Sequence, residues 1–382
     1  MIYLDNNATT RLDPRVLDVM LPFFTEDYAN AASTHPFGLR AHEAVKLARQ
    51  QVSQLLGCEP TELIFTSGAT EAINLAIKGV VESYVDWKGH VITVQTEHTA
   101  VLDVCHYLEV LGCEVTYLPV QANGLLDLDV LRAAIRPDTT LVSVMMVNNE
   151  TGVIQPIREI AEVAHAAGAL FMTDATQAVG KLPIDVEALG IDLLTFSGHK
   201  LYGPKGVGGL YVRQRRPRRV RLAALLHGGG HERGWRSGTL NVPGIVGLGH
   251  AAELCRQSLA DEAARLGTLR DELEAGLLAI PGTRVNGSRA HRLYNTTNIQ
   301  FEGCDSDALI MGLDGIAVSN GSACTAASLD PSHVLLAMGL DETAAFSCLR
   351  FSLGRFTDAA ELPVVQQAVA EVVQKLRAFA AV

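Results

Sequence analysis

The feature that most constrains the fold is an alternation of short, β-branched-rich apolar runs with helical segments through the middle of the chain. This alternation is typical of a mostly parallel sheet with crossover helices. In such sheets ligands bind outside the carboxyl ends of the strands. Five runs end in polar clusters, which we therefore expect to converge on one site: residues 66–71, 97–98, 148–150, 174–177 and 197–200.

The composition changes near residue 254, which predicts a second domain. A charged helical stretch leads to Pro281 and Gly282, which read as a helix stop, and an amphipathic helix closes the chain at residues 361–380. A length of 382 residues suits two domains. We predict a large α/β domain over residues 14–254 and a small α+β domain over residues 1–13 and 255–382.

The bulk properties describe an ordinary globular protein, with 48% hydrophobic and 19% charged residues. The net charge of −11 argues against non-specific nucleic-acid binding. The first residues lack the pattern of a signal peptide, and no uninterrupted apolar run approaches membrane-spanning length. We expect a cytoplasmic protein with no membrane partner and no direct nucleic-acid partner.

The cysteine pattern predicts reduced thiols. Seven cysteines form no C-x-x-C pair, and without a secretory signal they do not indicate a disulfide framework. Most should be small core residues. Cys324 differs because Gly, Ser, Thr and Ala surround it, which is a loop composition.

Lys200 and Asp174 carry the first indication of chemistry. Lys200 closes an apolar run and opens a glycine-rich loop, where its amine can form an imine with an aldehyde cofactor, although most lysines are simply solvated. Asp174 ends an apolar strand, and pairing with a pyridinium N–H offsets the cost of burying its carboxylate. With Cys324, these residues indicate pyridoxal phosphate chemistry that delivers a group to a thiolate.

Residues 67–71 follow a strand and open a helix, so their free N–H groups and the Thr70 hydroxyl suit a phosphate. A plain N-cap turn is the alternative, but the presence of Lys200 and Asp174 favours phosphate binding. Ser197 and His199 are further candidate phosphate donors. Gln177 can reach the cofactor's phenolic oxygen if its segment turns helical.

Three other polar residues are candidates for the same site. His98 has two interpretations. It is either a structural histidine at a strand end, with its hydrogen bonds made within the protein, or a ring that stacks on an aromatic cofactor and moves protons near neutral pH. Arg350 lies in an apolar setting that requires an anionic partner, and its guanidinium matches an amino-acid carboxylate. Asn149 is a plausible second donor to that carboxylate.

Two further motifs have ordinary interpretations. Six arginines lie between Arg213 and Arg221, a run that is usually a solvated face; the alternative is a docking patch for an acidic sulfur acceptor, for RNA or for a DNA-modifying partner. Three glycines separate His227 from His231, which favours a flexible turn over a zinc site. We therefore expect no metal.

Taken together, the motifs resemble those of the NifS/IscS cysteine desulfurases. The similarity runs in the family's order from residue 3 to about residue 356. The segments that carry it are residues 3–10, 66–71, 148–152, 174–181, 197–200, 227–239 and 321–325.

The resemblance implies a homodimeric pyridoxal phosphate enzyme of fold type I, with a mostly parallel seven-stranded sheet. It assigns Lys200 to the imine, Asp174 to the pyridine nitrogen and Gln177 to the phenolic oxygen, with His98 stacked on the ring. It places Ala69, Thr70, Ser197 and His199 around the phosphate, and Thr239 at the phosphate of the partner subunit.

The resemblance also implies the reaction. Asn149 and Arg350 hold the carboxylate of L-cysteine, the freed Lys200 amine removes the α-proton, and Cys324 accepts the sulfur as a persulfide while alanine forms. The sulfur then passes to a protein acceptor such as an iron–sulfur scaffold or a thiolation enzyme. Iron–sulfur assembly, tRNA thiolation, nitrogenase maturation and DNA sulfur modification all stay open as pathways.

Two alternative functions remain from the sequence. One is a selenocysteine lyase or an aminotransferase on the same fold, although Cys324 argues against transamination. The other is a non-catalytic partner protein, which the intact set of Lys200, Asp174, Arg350 and Cys324 disfavours.

Overall fold

The computed structural model describes residues 1–321 and 330–380, so Cys324 lies outside the described residues. In chain order the strands are β1 (Ile2–Tyr3), β2 (Leu63–Thr66), β3 (His90–Val94), β4 (Glu114–Leu118), β5 (Thr139–Ser143), β6 (Leu170–Asp174), β7 (Leu193–Ser197), β8 (Gly208–Val212), β9 (Thr283–Val285), β10 (Thr296–Phe301), β11 (Ile316–Ala317) and β12 (Cys348–Ser352).

Helices connect and cover these strands. In chain order they are α1 (Pro14–Met20), α2 (Pro22–Thr25), α3 (Pro36–Leu56), α4 (Ala69–Val85), α5 (Thr99–Val110), α6 (Leu128–Ala134), α7 (Ile157–Ala166), α8 (Val242–Leu278), α9 (Ser306–Gly312), α10 (His333–Ala337), α11 (Glu342–Ala345) and α12 (Leu362–Ala380). None of them, within the part of the chain described, is long and apolar enough to span a lipid bilayer.

The main sheet confirms the predicted α/β class. Its seven strands lie in the order β2-β8-β7-β6-β5-β3-β4, and only β8 runs antiparallel to its neighbours. The apolar run that leads to the polar cluster at residues 148–150 extends past the ladder of β5, which ends at Ser143. Residues 144–146 nevertheless stay bonded to the end of β6, with Val144 N–H donating to Met172 O.

Apolar residues on both faces explain why these strands are buried. Phe171 packs into the core on one face of the sheet, together with α3 and the first part of α8, while Met172 packs into the core under α4 and α5 on the other face. Adjacent strand residues point to opposite faces, so a strand buried on both sides reads as a continuous apolar run.

A second, smaller sheet stands apart from the first. Its strands β12, β10 and β9 are antiparallel and in that order, and β1 pairs with β11 in parallel. The core of this region includes Leu269 and Leu273 of α8 together with Val365 and Val369 of α12.

Helix α8 runs without interruption through the predicted domain boundary at residue 254. Its residue Leu248 belongs to the core of the large sheet, whereas Leu273 belongs to the core beside the small sheet. A single 37-residue helix therefore joins the two regions. The division at residues 13/14 and 254/255 stays a prediction.

Half of the six arginines in the arginine-rich stretch lie within ion-pair distance of carboxylates: Arg213, Arg215 and Arg218. Arg213 forms an ion pair with Glu187 at 2.9 Å, and Arg215 lies 3.1 Å from the buried Glu62. These contacts fit the interpretation of the stretch as a structural, partly solvated face.

Candidate active site

A cavity of about 510 Å³ lies beyond the carboxyl ends of β5, β6 and β7 and beside the first residues of α4 and α5. All five polar clusters predicted from the sequence contribute to it. Ten of the twelve candidate residues line the cavity: Ala69, Thr70, His98, Asn149, Asp174, Gln177, Ser197, His199, Lys200 and Arg350. Thr239 is not among the lining residues, and Cys324 lies outside the described residues.

One end of the cavity is the start of α4. The N-cap residue Gly68 has no side chain, and within the part of the chain that the structure describes no side chain caps the start of this 17-residue helix. A Cβ added to Gly68 would stand 3.4 Å from Ser197 Oγ, so the glycine keeps the approach open. Uncapped N–H groups and the helix dipole make this end a site for an anion such as a phosphate.

The acidic side chain nearest this end is neutralised. Glu71 accepts a bond from Ser67 N–H at 2.8 Å and forms an ion pair with Arg236 at 2.7 Å. Burial raises the pKa of Glu71, but the bonds from Arg236 and Ser67 outweigh it and hold the pKa below its usual value. Arg236 therefore brings the segment that carries Thr239 close to α4.

His199 and Lys205 complete the polar lining of this end. Burial, together with the charges of Lys200 and Lys205, lowers the pKa of His199 to about 4, so its ring is neutral at pH 7. Its Nδ1 lies 3.1 Å from Thr9 Oγ1. Lys205 was not predicted, although its position in the same glycine-rich loop was a signal for it.

Asp174 ends β6 and is oriented by two threonines. Its Oδ1 accepts bonds from Thr176 N–H at 2.9 Å, from the Thr176 hydroxyl and from Thr195 Oγ1 at 3.4 Å. Among the described residues no hydrogen bond involves Oδ2, which leaves this oxygen for a donor in the cavity. No role was predicted from the sequence for either threonine.

Lys200 lies in a single 3₁₀ turn directly after β7. Its Nζ donates to the backbone oxygen of Asn7 and, at 2.7 Å, to that of Ala8. The N-terminal segment therefore holds the amine in the cavity. No role was predicted from the sequence for Asn7 or Ala8, although both lie within residues 3–10, one of the segments that carry the resemblance.

Gln177 bridges the N-terminal segment and a buried lysine. Its Nε2 donates to Asn7 O at 2.8 Å, and its Oε1 accepts from Lys181 Nζ at 2.9 Å. The short helical turn that places Gln177 here begins at Ala175, whose oxygen accepts from Val179 N–H.

Arg350 reaches the cavity from β12 of the small sheet. It donates to Asp5 Oδ1 at 2.6 Å and to Asn149 O at 2.9 Å. Its Nε is buried and has no partner among the described residues. Asp5 is thus the anionic partner that the apolar setting required, and the guanidinium is held in place at the cavity wall.

His98 forms the N-cap of α5. Its Nδ1 accepts from Ala100 N–H at 3.0 Å, which places the proton of the neutral ring on Nε2. Next to it, Glu97 is completely buried and accepts a bond from Met145 N–H. Burial and the charge of Asp174 raise the pKa of Glu97 well above its usual value.

The cysteines within the described residues are poor nucleophiles. Burial raises the thiol pKa of Cys58 and Cys348 to about 12 and that of Cys113 and Cys255 to about 11. It also raises the pKa of Cys105 and Cys304. Since the thiolate is the reactive form, none of these six fits a sulfur-accepting role.

The sheet order, Lys200 after β7, Asp174 at the end of β6 and the phosphate-compatible start of α4 define an enzyme fold of the type I aminotransferase class. Residues 2–365 match the model of the aminotransferase class-V family. Cysteine desulfurase IscS from Anaeromyxobacter sp. (strain Fw109-5) is 55% identical over 378 residues, which is 98% of this chain and 93% of the relative.

Two solved structures are similar to this chain. A NifS-like protein has a TM-score of 0.91 at 38% identity and covers 98% of this chain and 99% of its own. SspA in complex with cysteine has a TM-score of 0.82 at 39% identity and covers 94% and 100%. The chain belongs to the class-V aminotransferase family and, within it, to the cysteine desulfurases.

Proposed function

We propose that the protein binds pyridoxal 5′-phosphate, converts L-cysteine to L-alanine and receives the sulfur as a persulfide on Cys324. The observation that carries this proposal is the cavity that unites Lys200, Asp174, Arg350 and the uncapped start of α4. The cysteine desulfurase relatives support the same reaction.

The residues of the cavity fit the cofactor. The phosphate belongs at the start of α4, where Ala69, Thr70, Ser197 and His199 surround it. Asp174 Oδ2 is available for the ring nitrogen, and His98 lies at the wall where it can stack on the ring. When bound, pyridoxal phosphate supplies an aldehyde that forms an imine with an amine and a ring that accepts electrons.

Arg350 is suited to bind the carboxylate of L-cysteine. Its contacts with Asp5 and Asn149 O hold the guanidinium at the cavity wall, where its charge can meet the carboxylate through a charge-assisted hydrogen bond. A charge-assisted bond of this kind orients as well as binds. Asn149 lines the same part of the cavity and acts as the second donor.

Lys200 is the residue that moves the α-proton. Two backbone oxygens hold its amine in the cavity that Arg350 also lines, where a bound L-cysteine would present its α-proton. An amine positioned in this way acts as a general base and then as an acid. His98 lines the same cavity.

Cys324 is the sulfur acceptor in this proposal. Its thiolate attacks the substrate sulfur, an S–S bond forms, the C–S bond breaks, and the carbon takes a proton to become the methyl group of alanine. The high thiol pKa values of the six other cysteines support this assignment, because only a thiolate attacks efficiently.

We also propose a cytoplasmic homodimer that hands its sulfur to a protein acceptor, such as an iron–sulfur scaffold or a thiolation enzyme. Large exposed apolar side chains occur in and between α1 and α2 and at the start of α3. A group of this kind is typical of a protein–protein interface: Leu17, Leu21, Phe24, Phe37 and Leu39. Thr239 does not line the cavity of its own chain, which is compatible with its contributing to the phosphate site of the partner.

The experiment is to add L-cysteine to the cofactor-loaded protein and to measure alanine together with protein-bound persulfide. We expect stoichiometric alanine from the wild type and loss of the persulfide in Cys324→Ser. Cys58→Ser is the matched control, because Cys58 is partly exposed yet has a strongly raised pKa, and it should behave as the wild type.

Other outcomes would change the proposed function or the role of Cys324. Alanine formation that is unchanged in Cys324→Ser removes this residue from the mechanism. A loaded protein that forms no alanine from L-cysteine is an aminotransferase or, if selenocysteine alone is cleaved, a selenocysteine lyase. A protein that binds no cofactor supports the non-catalytic alternative.

A further inference from the structure

Lys181 is a buried amine that the proposed mechanism does not use. Its side chain is only 3% exposed, and its Nζ donates to Gln177 Oε1 at 2.9 Å. The charged and titratable groups around it are Lys200 after β7, Cys255 on α8 and Arg350 on β12. No carboxylate pairs with it among the described residues, and burial, aided by Lys200 and Arg350, lowers its pKa to about 7. A lysine buried at this cost usually serves a function.

The contacts with Lys181 and Asn7 determine which way the Gln177 amide faces. Lys181 Nζ donates to Gln177 Oε1 at 2.9 Å, and as an ammonium group, below its pKa, it offers only donors. The other end of the amide, Nε2, donates to Asn7 O at 2.8 Å. The reverse orientation would set Oε1 against the carbonyl oxygen of Asn7 whatever the charge of Lys181, so the Asn7 contact selects this arrangement and the ammonium form of Lys181 reinforces it.

The N–H end of Gln177 therefore lies on the side of the cavity that holds Lys200. The same Asn7 oxygen accepts bonds from Gln177 Nε2 and from Lys200 Nζ. Because Nε2 carries two hydrogens and Asn7 O uses one of them, the second stays available to a ligand. In pyridoxal phosphate the phenolic oxygen neighbours the aldehyde carbon, so an acceptor is expected beside Lys200.

We propose that Lys181 is a positioning residue that fixes the Gln177 amide with its N–H toward the phenolic oxygen of the cofactor. The proposal rests on the proposed function, since it requires pyridoxal phosphate in this cavity. A donor to the phenolate, reinforced by the lysine charge behind it, disfavours the protonated imine and lowers the pKa of that imine.

The test is a pH titration of the visible absorbance of the protein loaded with pyridoxal phosphate and no substrate. In Lys181→Met we expect the pH midpoint to rise by about one unit, the size of a weakened charge-assisted hydrogen bond. Lys181→Gln keeps a donor for Gln177 Oε1 and should shift the midpoint less. The exposed Lys375→Met should leave it unchanged.

A second measurement separates action through Gln177 from a direct effect of charge. We expect Lys181→Met to shift the midpoint in the wild-type background but to change it little in the Gln177→Leu background. Equal shifts in both backgrounds would mean that Lys181 acts on the cofactor without Gln177, which overturns the proposal.

The remaining outcomes distinguish failure of the Lys181 proposal from failure of the proposed function. Midpoints of both Lys181 variants that equal the wild type, with cofactor bound stoichiometrically, overturn the inference and leave the proposed function intact. Failure of the wild type to bind pyridoxal phosphate overturns the proposed function itself. If Lys181→Met does not fold, Lys181→Ala, which also lacks a donor for Gln177 Oε1, takes its place in the titration, and a midpoint equal to that of the wild type contradicts the proposal.

Discussion

Burial rather than ion pairing shifts the pKa of two residues in and beside the cavity. Burial and the charge of Asp174 raise the pKa of Glu97 above its usual value. Burial and nearby lysines lower the pKa of His199 to about 4, so its ring is neutral at pH 7. Arg350, by contrast, forms an ion pair with Asp5 at 2.6 Å.

Glu97→Gln tests the buried acid. The raised pKa means that folded Glu97 keeps its proton at pH values where the unfolded chain releases it, so this group lowers the free energy of unfolding as pH rises above about 4.3. We expect Glu97→Gln to gain stability relative to the wild type between pH 5 and pH 8, measured by urea unfolding. The exposed Glu43→Gln should show no such trend, and a pH-independent difference for Glu97→Gln contradicts the prediction.

At the scale of elements, the buried carboxylate of Glu150 contacts the described residues on either side of residues 322–329. Glu150 Oε2 accepts a bond from Ser332 Oγ, and Gly321 packs closely beside the same oxygen. Asn298 Nδ2, on the small sheet, donates to Glu150 O at 3.3 Å. Glu150 therefore bonds to the segment that follows residue 329 and packs against the residue that precedes 322.

Gly321→Ala is expected to disturb the packing of residue 321 against Glu150. Gly321 has φ +95°, and an added Cβ would lie 2.6 Å from Glu150 Oε2. The backbone conformation costs about 1–3 kcal/mol for a residue other than glycine, and the overlap adds about 1–3 kcal/mol. Gly339→Ala is the matched control, because Gly339 has φ +93° and open space around its Cβ position. Equal losses in the free energy of unfolding for the two variants would show that the contact with Glu150 has no effect.

At the scale of the whole molecule, the cavity is built from three distant parts of the chain. The large sheet contributes Asp174 and Lys200, the small sheet contributes Arg350, and the N-terminal segment contributes the oxygens of Asn7 and Ala8. Loss of contact between the two sheets would therefore separate the proposed substrate site from the proposed cofactor site.

The exposed apolar cluster predicts a dimer. Leu21 and Phe24 are 52% and 58% exposed, and a double substitution to Asp places two charges where a partner surface is expected. We expect Leu21→Asp/Phe24→Asp to shift the protein toward monomers in sedimentation velocity and to weaken cofactor binding, since Thr239 then loses its proposed place in the partner. Val110→Asp, at an 84% exposed position on α5, is the control. A dimer that persists in the double variant contradicts this placement of the interface.

The local sequence pattern predicted much of the fold and most of the residues that line the candidate site. Apolar runs buried on both faces are readable because neighbouring strand residues point to opposite sides. The residues after those runs lie at the same edge because parallel strands end together. This is why Lys200, Asp174, His98 and the start of α4 were found from the sequence.

The tertiary structure decided the contacts that no local pattern encodes. Lys200 meets backbone oxygens of Asn7 and Ala8, more than 190 residues away, and Arg350 meets Asp5 at a separation of 345 residues. Backbone acceptors carry no side-chain signature, and a buried lysine such as Lys181 looks like a solvated one in the sequence. The sequence determined which residue types lie at the edge of the sheet, whereas packing across distant segments determined their orientation and their charge.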